Sequence, residues 1–556
     1  MKKKYVRWTL WTIASPFILF IILCILIYLP PIQNFLVDKA AVYASEATGM
    51  NISVGRISLS FPLNLVVTNV DAASPHNDTL LSVRRLQVNV QLLPLLKKQV
   101  EVDGISLQGA TVNSNDLIHG MKLNGTLGEL FISSHGVALD PETAIVNKVL
   151  LKDTDLSLCL NDTAAADTAA SDTAYWKIIL QDIDLQNVSF ALDMPLDSLS
   201  LAASLDNAIL RDGLIDLHKS AYSLQTFRIE NGRVRYDNGK PLAADSLSSG
   251  LDPSHIALTD IGVKLDSLYY GGRNMKAIIS QFVLKERSGV EIVSATGRMV
   301  SNDKVLRVPS LKLETRDSYL ELNAAMDWNA LDFKDEGLVS ARLMADIGKP
   351  DVVRFMGSMD EKFIRQYPSE PLRIRTGIDG DLNKLKLTTL TAELPGALGL
   401  FARGELTHLT DSLLRGGDIT LEAETKDLKF VSTLAEGIKI PYGTRLEGKF
   451  TMAGTKMGTD LLLMQPEAQA VVAADTIPIT VYNDSISVAD DFKMERAARL
   501  FAKYDLSRDR YEADLAVNHF DLHQFMPADS LYTLSTRLKV EGGGFDFFCP
   551  RTYCNC

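Results

Sequence analysis

The stretch Arg85–Leu92, RLQVNVQL, alternates without a fault. Leu86, Val88, Val90 and Leu92 share one side, and Arg85, Gln87, Asn89 and Gln91 share the other. A period of two is the mark of a β-strand with one dry face and one wet face. The pattern recurs along the chain. It sets Ile57, Leu59 and Phe61 on one face of RISLSF, and Leu320 and Leu322 on one face of YLELNAAM. It does the same for Leu446 and Phe450 in RLEGKFTM and for Leu515 and Val517 in YEADLAVN. FRIENGRVRY carries Phe227 and Ile229, pauses at Gly232, and resumes with Val234 and Tyr236. In LKLTTLTAEL the apolar phase slips between Leu387 and Leu390, which predicts a bulge or a bend.

Helical periodicity is scarce. It predicts short helices at 350–367, 427–437 and 521–527. These three share a weak repeat: Asp351 and Phe355, Asp427 and Phe430, Asp521 and Phe525, each leading into an alternating strand and a glycine. Such spacing predicts stacked units in place of one compact core. The segment 161–174, NDTAAADTAASDTA, is a low-complexity loop.

The first fifty residues differ. Trp8 to Val37 holds no charge, and Leu10–Leu29 is long enough to cross a hydrocarbon core of ~30 Å as a helix. Trp8, Trp11 and Tyr28 sit towards its ends, where amphipathic rings favour the interface, with Phe17 and Phe20 between them. Lys2, Lys3, Lys4 and Arg7 keep the N-terminus cytoplasmic, so the bulk of the chain is expected outside. A cleaved signal peptide is the rival, but the apolar run is long and YLPPIQN offers no small-residue cleavage site. Residues 30–49 read as an amphipathic helix, with Ile32, Leu36, Ala40, Tyr43 and Ala47 on one stripe.

Composition narrows the function. The chain has 556 residues, 46% hydrophobic and 23% charged, with a net charge of −12. An acidic chain without a basic cluster beyond its N-terminus argues against a nucleic-acid partner. Cys24 and Cys159 stand apart, while Cys549, Cys554 and Cys556 crowd the C-terminal residues without a fourth partner for zinc. Gly443–Lys449 matches a phosphate-loop spacing, but Phe450 stands where Ser or Thr belongs and the segment alternates like a strand. Asp379–Asn383 begins like a calcium loop, but Lys384 occupies the glycine position. His519, Asp521 and His523 lack a fourth ligand nearby. No catalytic, cofactor or metal site is predicted, and the chain is not read as an enzyme.

Two stretches carry a resemblance. Tyr28–Val70 runs from the apolar segment through the short helix to a strand with the pair Gly55-Arg56. Leu86–Asn113 supplies Pro94, Leu95, Leu96, Lys97, Val102, Ile105, Leu107, Gly109 and Val112. In these residues the chain resembles the AsmA-like family, and most closely its TamB-like branch in Gram-negative bacteria of the Bacteroides type. The resemblance is specific over roughly the first 115 residues and diffuse beyond. The family's distinctive C-terminal domain is not recognisable, so the chain is expected to be an N-terminal piece of a longer protein.

The resemblance implies a mainly β fold: an N-terminal transmembrane helix, then an elongated, open β-groove of stacked antiparallel strands with a few short helices. The expected layout is 1–7 cytoplasmic, 8–29 anchor, 30–49 amphipathic helix, 50–349 an AsmA-like groove and 350–556 repeated groove segments. It implies a periplasmic protein held in the inner membrane that conducts phospholipid towards the outer membrane. The groove would be lined by the apolar residues named above, from Ile57 to Val517. The alternative is a scaffold that assists outer-membrane protein assembly, engaging a barrel-assembly partner through the missing domain. Alternation alone also fits a stack of sandwiches whose dry faces bury each other.

Overall fold

A computed structural model describes residues 50–543, apart from 61–63, 75–78, 92–101, 115–120, 139–141, 162–175, 240–249, 334–336, 357–359, 435–437, 466–496 and 528–531. Before Met50 it describes Lys39, Ala41, Val42 and Ser45, all helical. The expected anchor residues Trp8, Trp11, Phe17, Phe20 and Tyr28 lie outside the described residues, as do Phe61, Leu92 and every cysteine except Cys159. Among the described residues no helix is long and apolar enough to cross a membrane.

Two compact units emerge. One runs to Ala243 and takes in Asp252–Arg287; the other holds Ala244–Leu251 and the chain from Ser288. Both are mainly β.

In the first unit the strands are β1 (Asn51–Ser60), β2 (Asn64–Ala73), β3 (Thr79–Val90), β4 (Val102–Asn113), β5 (Met121–Ala138) and β6 (Thr143–Leu160). They continue as β7 (Lys177–Met194), β8 (Leu199–Asp216), β9 (Ala221–Leu224), β10 (Thr226–Asp237), β11 (His255–Gly271) and β12 (Asn274–Glu286). Each strand pairs with its sequence neighbour except β9 and β10, which lie end to end between β8 and β11. One pair corrects the expected all-antiparallel order: β6 and β7 run parallel, from Thr143 opposite Lys177 to Cys159 opposite Asp193. Alternation is blind to strand direction. Parallel neighbours need a connection of a dozen or more residues, and the sequence between Leu160 and Lys177 is long enough for one.

The second unit is an antiparallel meander throughout. Its strands are β13 (Glu291–Ser301), β14 (Val305–Thr315), β15 (Tyr319–Asp327), β16 (Leu338–Ile347), β17 (Leu372–Asp381), β18 (Lys384–Leu394) and β19 (Leu398–Thr407). They continue as β20 (Gly416–Thr425), β21 (Arg445–Ala453), β22 (Lys456–Met464), β23 (Ala497–Asp505), β24 (Arg510–Asp521) and β25 (Thr533–Gly543). The predicted phase slip is present, with the β18–β19 register shifting between Leu387 and Leu390.

Its helices are shorter than predicted: α1 (Trp328–Leu331), α2 (Lys349–Met356), α3 (Glu361–Gln366) and α4 (Leu522–Phe525). The span expected at 350–367 is two helices, because Asp360 starts the second by accepting from the Lys362 N–H at 2.9 Å. Among the described residues of 427–437 one 3₁₀ turn forms, Val431–Thr433, since Leu428 and Phe430 are drawn into a core beside it.

That core caps one rim of the second unit. Phe363, Tyr367, Leu394, Ala397, Leu428 and Phe430 form it, and Phe363 and Ala397 are 2% and 0% exposed. Phe430 meets Phe363 edge-on at 5.6 Å and Tyr367 at 5.1 Å. The connections β16–β17, β20–β21 and β24–β25 all lie at this rim, one every fourth strand. The repeat is therefore real, but its first member is corrected. Asp351 is a buried acceptor for Thr315 and Ser318, and Phe355 is exposed. Asp360 and Phe363 take the role instead. In each corner the aspartate accepts from the N–H two residues on: Lys362 at 2.9 Å, Lys429 at 3.2 Å, His523 at 3.1 Å. A phenylalanine then turns inward, as Phe363, Phe430 and Phe525, the last stacked on Phe520 at 5.1 Å.

Candidate functional site

Pairing register turns the alternation of single strands into rows that cross each sheet. In the first unit, Leu86 of β3 lies opposite Val67 and Leu107, and Val67 lies opposite Ile57. Leu107 meets Leu130, Leu130 meets Leu151, and Leu151 meets Leu185 across the parallel step. The row continues through Ala208, Ile229 and Val263 to Phe282. A second row runs beside it, from Leu59 through Leu65, Val88, Ile105, Ile132 and Val149 to Ile183. It then passes Leu210, Phe227 and Leu265 to end at Ile279. Neither row contains a polar residue.

The second unit has rows of the same kind. Leu320, Ala345, Ile374, Ala392, Leu400 and Ala423 stand in line and lead through Leu446 and Leu463 to Val517. Leu322 and Leu515 belong to the row next to it, which Thr376 interrupts, and Phe450 to the one after, which Thr459 interrupts. Of the described residues expected to form an apolar face, all but Val90, which pairs with Val102 alone, thus lie on rows or ladder pairs within their own unit. Val234 and Tyr236 join the first unit's face beyond a break in the ladder.

These rows are not covered as a core is. Apart from Ala208, every member of the two long rows of the first unit is half-buried, and Phe450 in the second is 43% exposed. Where protein does cover the sheet, at the capped rim, exposure falls to a few per cent. Face-to-face packing of a second sheet would bring the rows to that level.

The break in the ladder of the first unit was only partly visible in sequence. From β1 to β8, and in β10, a position is missing from the pairing and these positions align; β6, β7 and β8 skip a further one at Asn147, Gln181 and Asp212. Gly55 stands opposite Asn69, Asn69 opposite Arg84, and Arg84 opposite Gly109. Gly128, Asp153 and Asn187 continue the line to Asp206 and Asn231. Asn69, Gly109, Asp153, Asn187 and Asn231 have left-handed backbones, with φ of 53°, 61°, 49°, 51° and 53°. Asn, Asp and Gly are the residues that tolerate this region. The apolar phase changes by one at each: Leu65 and Val67 precede Asn69, while Val70 and Ala72 follow it. A strand that took an extra residue without that change would turn its dry side to water.

Burial differs between the two faces along this crease. Asn69, Arg84, Asp153, Asn187 and Asp206 are exposed. Beside them on the apolar side, Val83, Ala110 and Thr154 are 5%, 5% and 2% exposed, among the most buried residues of the unit. Deeper burial on the dry side is what a fold towards that side produces. On the wet side Asn187 Nδ2 donates to Asp153 Oδ1 at 2.9 Å, and a Cβ on Gly128 would lie 2.8 Å from that of Asp153. Glycine is needed there for room.

The wet faces are tied by cross-strand ion pairs. Arg375 meets Asp346 at 2.7 Å, Arg499 meets Asp460 at 2.5 Å, and Arg537 meets Asp514 at 2.6 Å. Hydrogen bonds from the Arg499 and Arg537 guanidinium groups hold the carboxyls of Asp460 and Asp514 below their ordinary range.

The other sequence candidates resolve into local structure. Gly443–Lys449 runs into strand β21. Asp379–Asn383 is the β17–β18 turn, where Asp381 Oδ1 accepts from Asn383 and Lys384 N–H groups at 2.9 and 2.7 Å. His519 lies exposed at a left-handed position of β24, and His523 packs against Tyr532 in the last corner. No cluster of three or more potential metal ligands occurs among the described residues. Comparison with protein-family profiles and with curated proteins finds no match for this chain.

Proposed function

We propose that this chain binds phospholipid acyl tails along the dry faces of its sheets and conducts them, as an inner-membrane-anchored periplasmic protein of the AsmA-like, TamB-like kind. What supports this reading is the pair of long rows in the first unit, which cross its strands without a polar residue and stay half-open. A lipid moved through water exposes about thirty methylenes, on the order of 24 kcal/mol. An apolar surface without gaps removes much of that penalty while headgroups stay wet. Breadth and continuity matter for this task, and no single residue need be special.

Photo-crosslinking tests it. A photoreactive residue at Val88 or Ile132 is expected to capture phospholipid in cells, and one at Gln87, on the wet face, is not. Equal capture at all three positions would count against the proposal.

A second reading has one observation in its favour. Among the described residues β25 pairs with β24 alone, so its other edge offers backbone groups to a partner strand. This suits a scaffold for outer-membrane protein assembly. Purification of the full chain with a barrel-assembly protein and without lipid would favour it.

A further inference from the structure

The crease of the first unit is written in the sequence as a short code. Five strands carry an apolar residue, a spacer, then the left-handed residue on the crease line: Val67-Thr68-Asn69, Leu107-Gln108-Gly109, Leu151-Lys152-Asp153, Leu185-Gln186-Asn187 and Ile229-Glu230-Asn231; the same triplet recurs as Leu210-Arg211-Asp212 in β8 and Leu258-Thr259-Asp260 in β11. All five strands run in one direction. β2, β4 and β6 alternate with antiparallel partners, β7 is parallel to β6, and β10 returns to the same sense through β8. The intervening strands β1, β3, β5 and β8 place Gly55, Arg84, Gly128 and Asp206 in the line, none left-handed. Across the parallel step two consecutive strands carry the left-handed residue on the line, while Asp212 of β8 and Asp260 of β11 place it in strands that run the other way.

We infer that these left-handed residues are positioning residues that fold the two limbs of the sheet towards its apolar face and so set the width of that face. The inference rests on the acyl-tail reading only for what the bend encloses. The backbone argument stands apart from it: a left-handed residue costs a β-branched side chain much and glycine little. Side-chain bonding is the competing explanation, because Asn231 also donates to Asp206.

Spin labels at Arg228 and Arg235 read the bend. Both are exposed, and they flank Asn231 in β10. In the full chain with native cysteines replaced by serine, Asn231→Val is expected to shift the inter-label distance, and Asn231→Gly to keep it. An unshifted distance in Asn231→Val would overturn the inference, and so would a shift in Asn231→Gly, which would assign the bend to the side chain. Should Asn231→Val fail to fold, Asn231→Ala against Asn231→Gly decides. Both lose the side-chain bond, and the alanine variant is expected to have an unfolding constant roughly fivefold larger; equal constants overturn the inference. None of these readouts involves lipid, so their failure is distinct from failure of the acyl-tail reading.

Discussion

Placing a carboxylate in the long row of the first unit is expected to cost lipid without costing the fold. Leu107→Glu puts the charge on the dry face of β4, half-buried between Leu86 and Leu130. Its neighbour Gln108 is exposed on the wet face, and Gln108→Glu supplies the matched control. One leaflet of a ~30 Å hydrocarbon core is ~15 Å deep, so a tail laid along the row crosses about three strands spaced at ~4.8 Å. About fifteen methylenes at ~0.8 kcal/mol, covered on one side, give ~6 kcal/mol per tail. Losing one strand in three removes ~2 kcal/mol, roughly a thirtyfold loss of affinity, and desolvation of the carboxylate adds to it. The assay is mass spectrometry of lipid retained by the full chain in mild detergent, with circular dichroism to show that both variants fold. Equal retention by folded Leu107→Glu and Gln108→Glu would refute the reasoning.

Other expectations follow from the same geometry. Phe363→Ala empties the centre of the capped rim and should cost about 3–5 kcal/mol, seen as faster hydrogen exchange in α3 and the Val431–Thr433 turn while β13 and β14 stay protected. The carboxyls of Asp460 and Asp514 have lowered folded values, so their contribution is present above the unfolded carboxylate range and is lost as pH falls through the folded values. Urea midpoints should therefore hold from pH 7 to 5 and drop below about pH 4, and a chain with Arg499→Gln and Arg537→Gln should show a smaller acid step; an equal step would show that the pairs contribute nothing. The parallel register of β6 and β7 sets Leu160 and Lys177 roughly 55 Å apart, and the chain between them can span at most ~60 Å. Deleting four residues within 162–175 should abolish the parallel pair, read as loss of a Thr143–Lys177 double-cysteine crosslink in a chain otherwise free of cysteine.

Much of this was legible in the chain because alternation is local. Leu86, Val88, Leu320 and Leu515 declare their side through their neighbours, and each stands in a row of its unit that is apolar, save for Thr376 in the row of Leu515. The slip between Leu387 and Leu390 was visible for the same reason. Pairing partners are not local. Nothing in Thr143–Leu160 or Lys177–Met194 says that the two run parallel, since a strand has the same period read either way. The crease was missed because one Asn or Asp in a strand looks like an ordinary polar position; only the register aligns Asn69, Asp153, Asn187 and Asn231. The pause at Gly232 was a trace of it. The corner repeat was seen at Asp427 and Asp521 but misplaced at Asp351, because spacing between Asp and Phe was matched without the N–H that the aspartate caps.

The corners of the second unit recur every fourth strand, and strands stack at ~4.8 Å, so one repeat occupies ~19 Å along the stacking direction. Each corner seals its own stretch of rim and leans on the next, as Phe430 does on Phe363 and as Lys439 does by donating to the Phe525 carbonyl at 2.7 Å. Duplication of one such block would therefore lengthen the stack by a fixed increment and leave every existing joint intact. Gain or loss of single strands would strand a corner on the wrong side. Evolution of reach in such a scaffold is then quantised, like adding links to a chain.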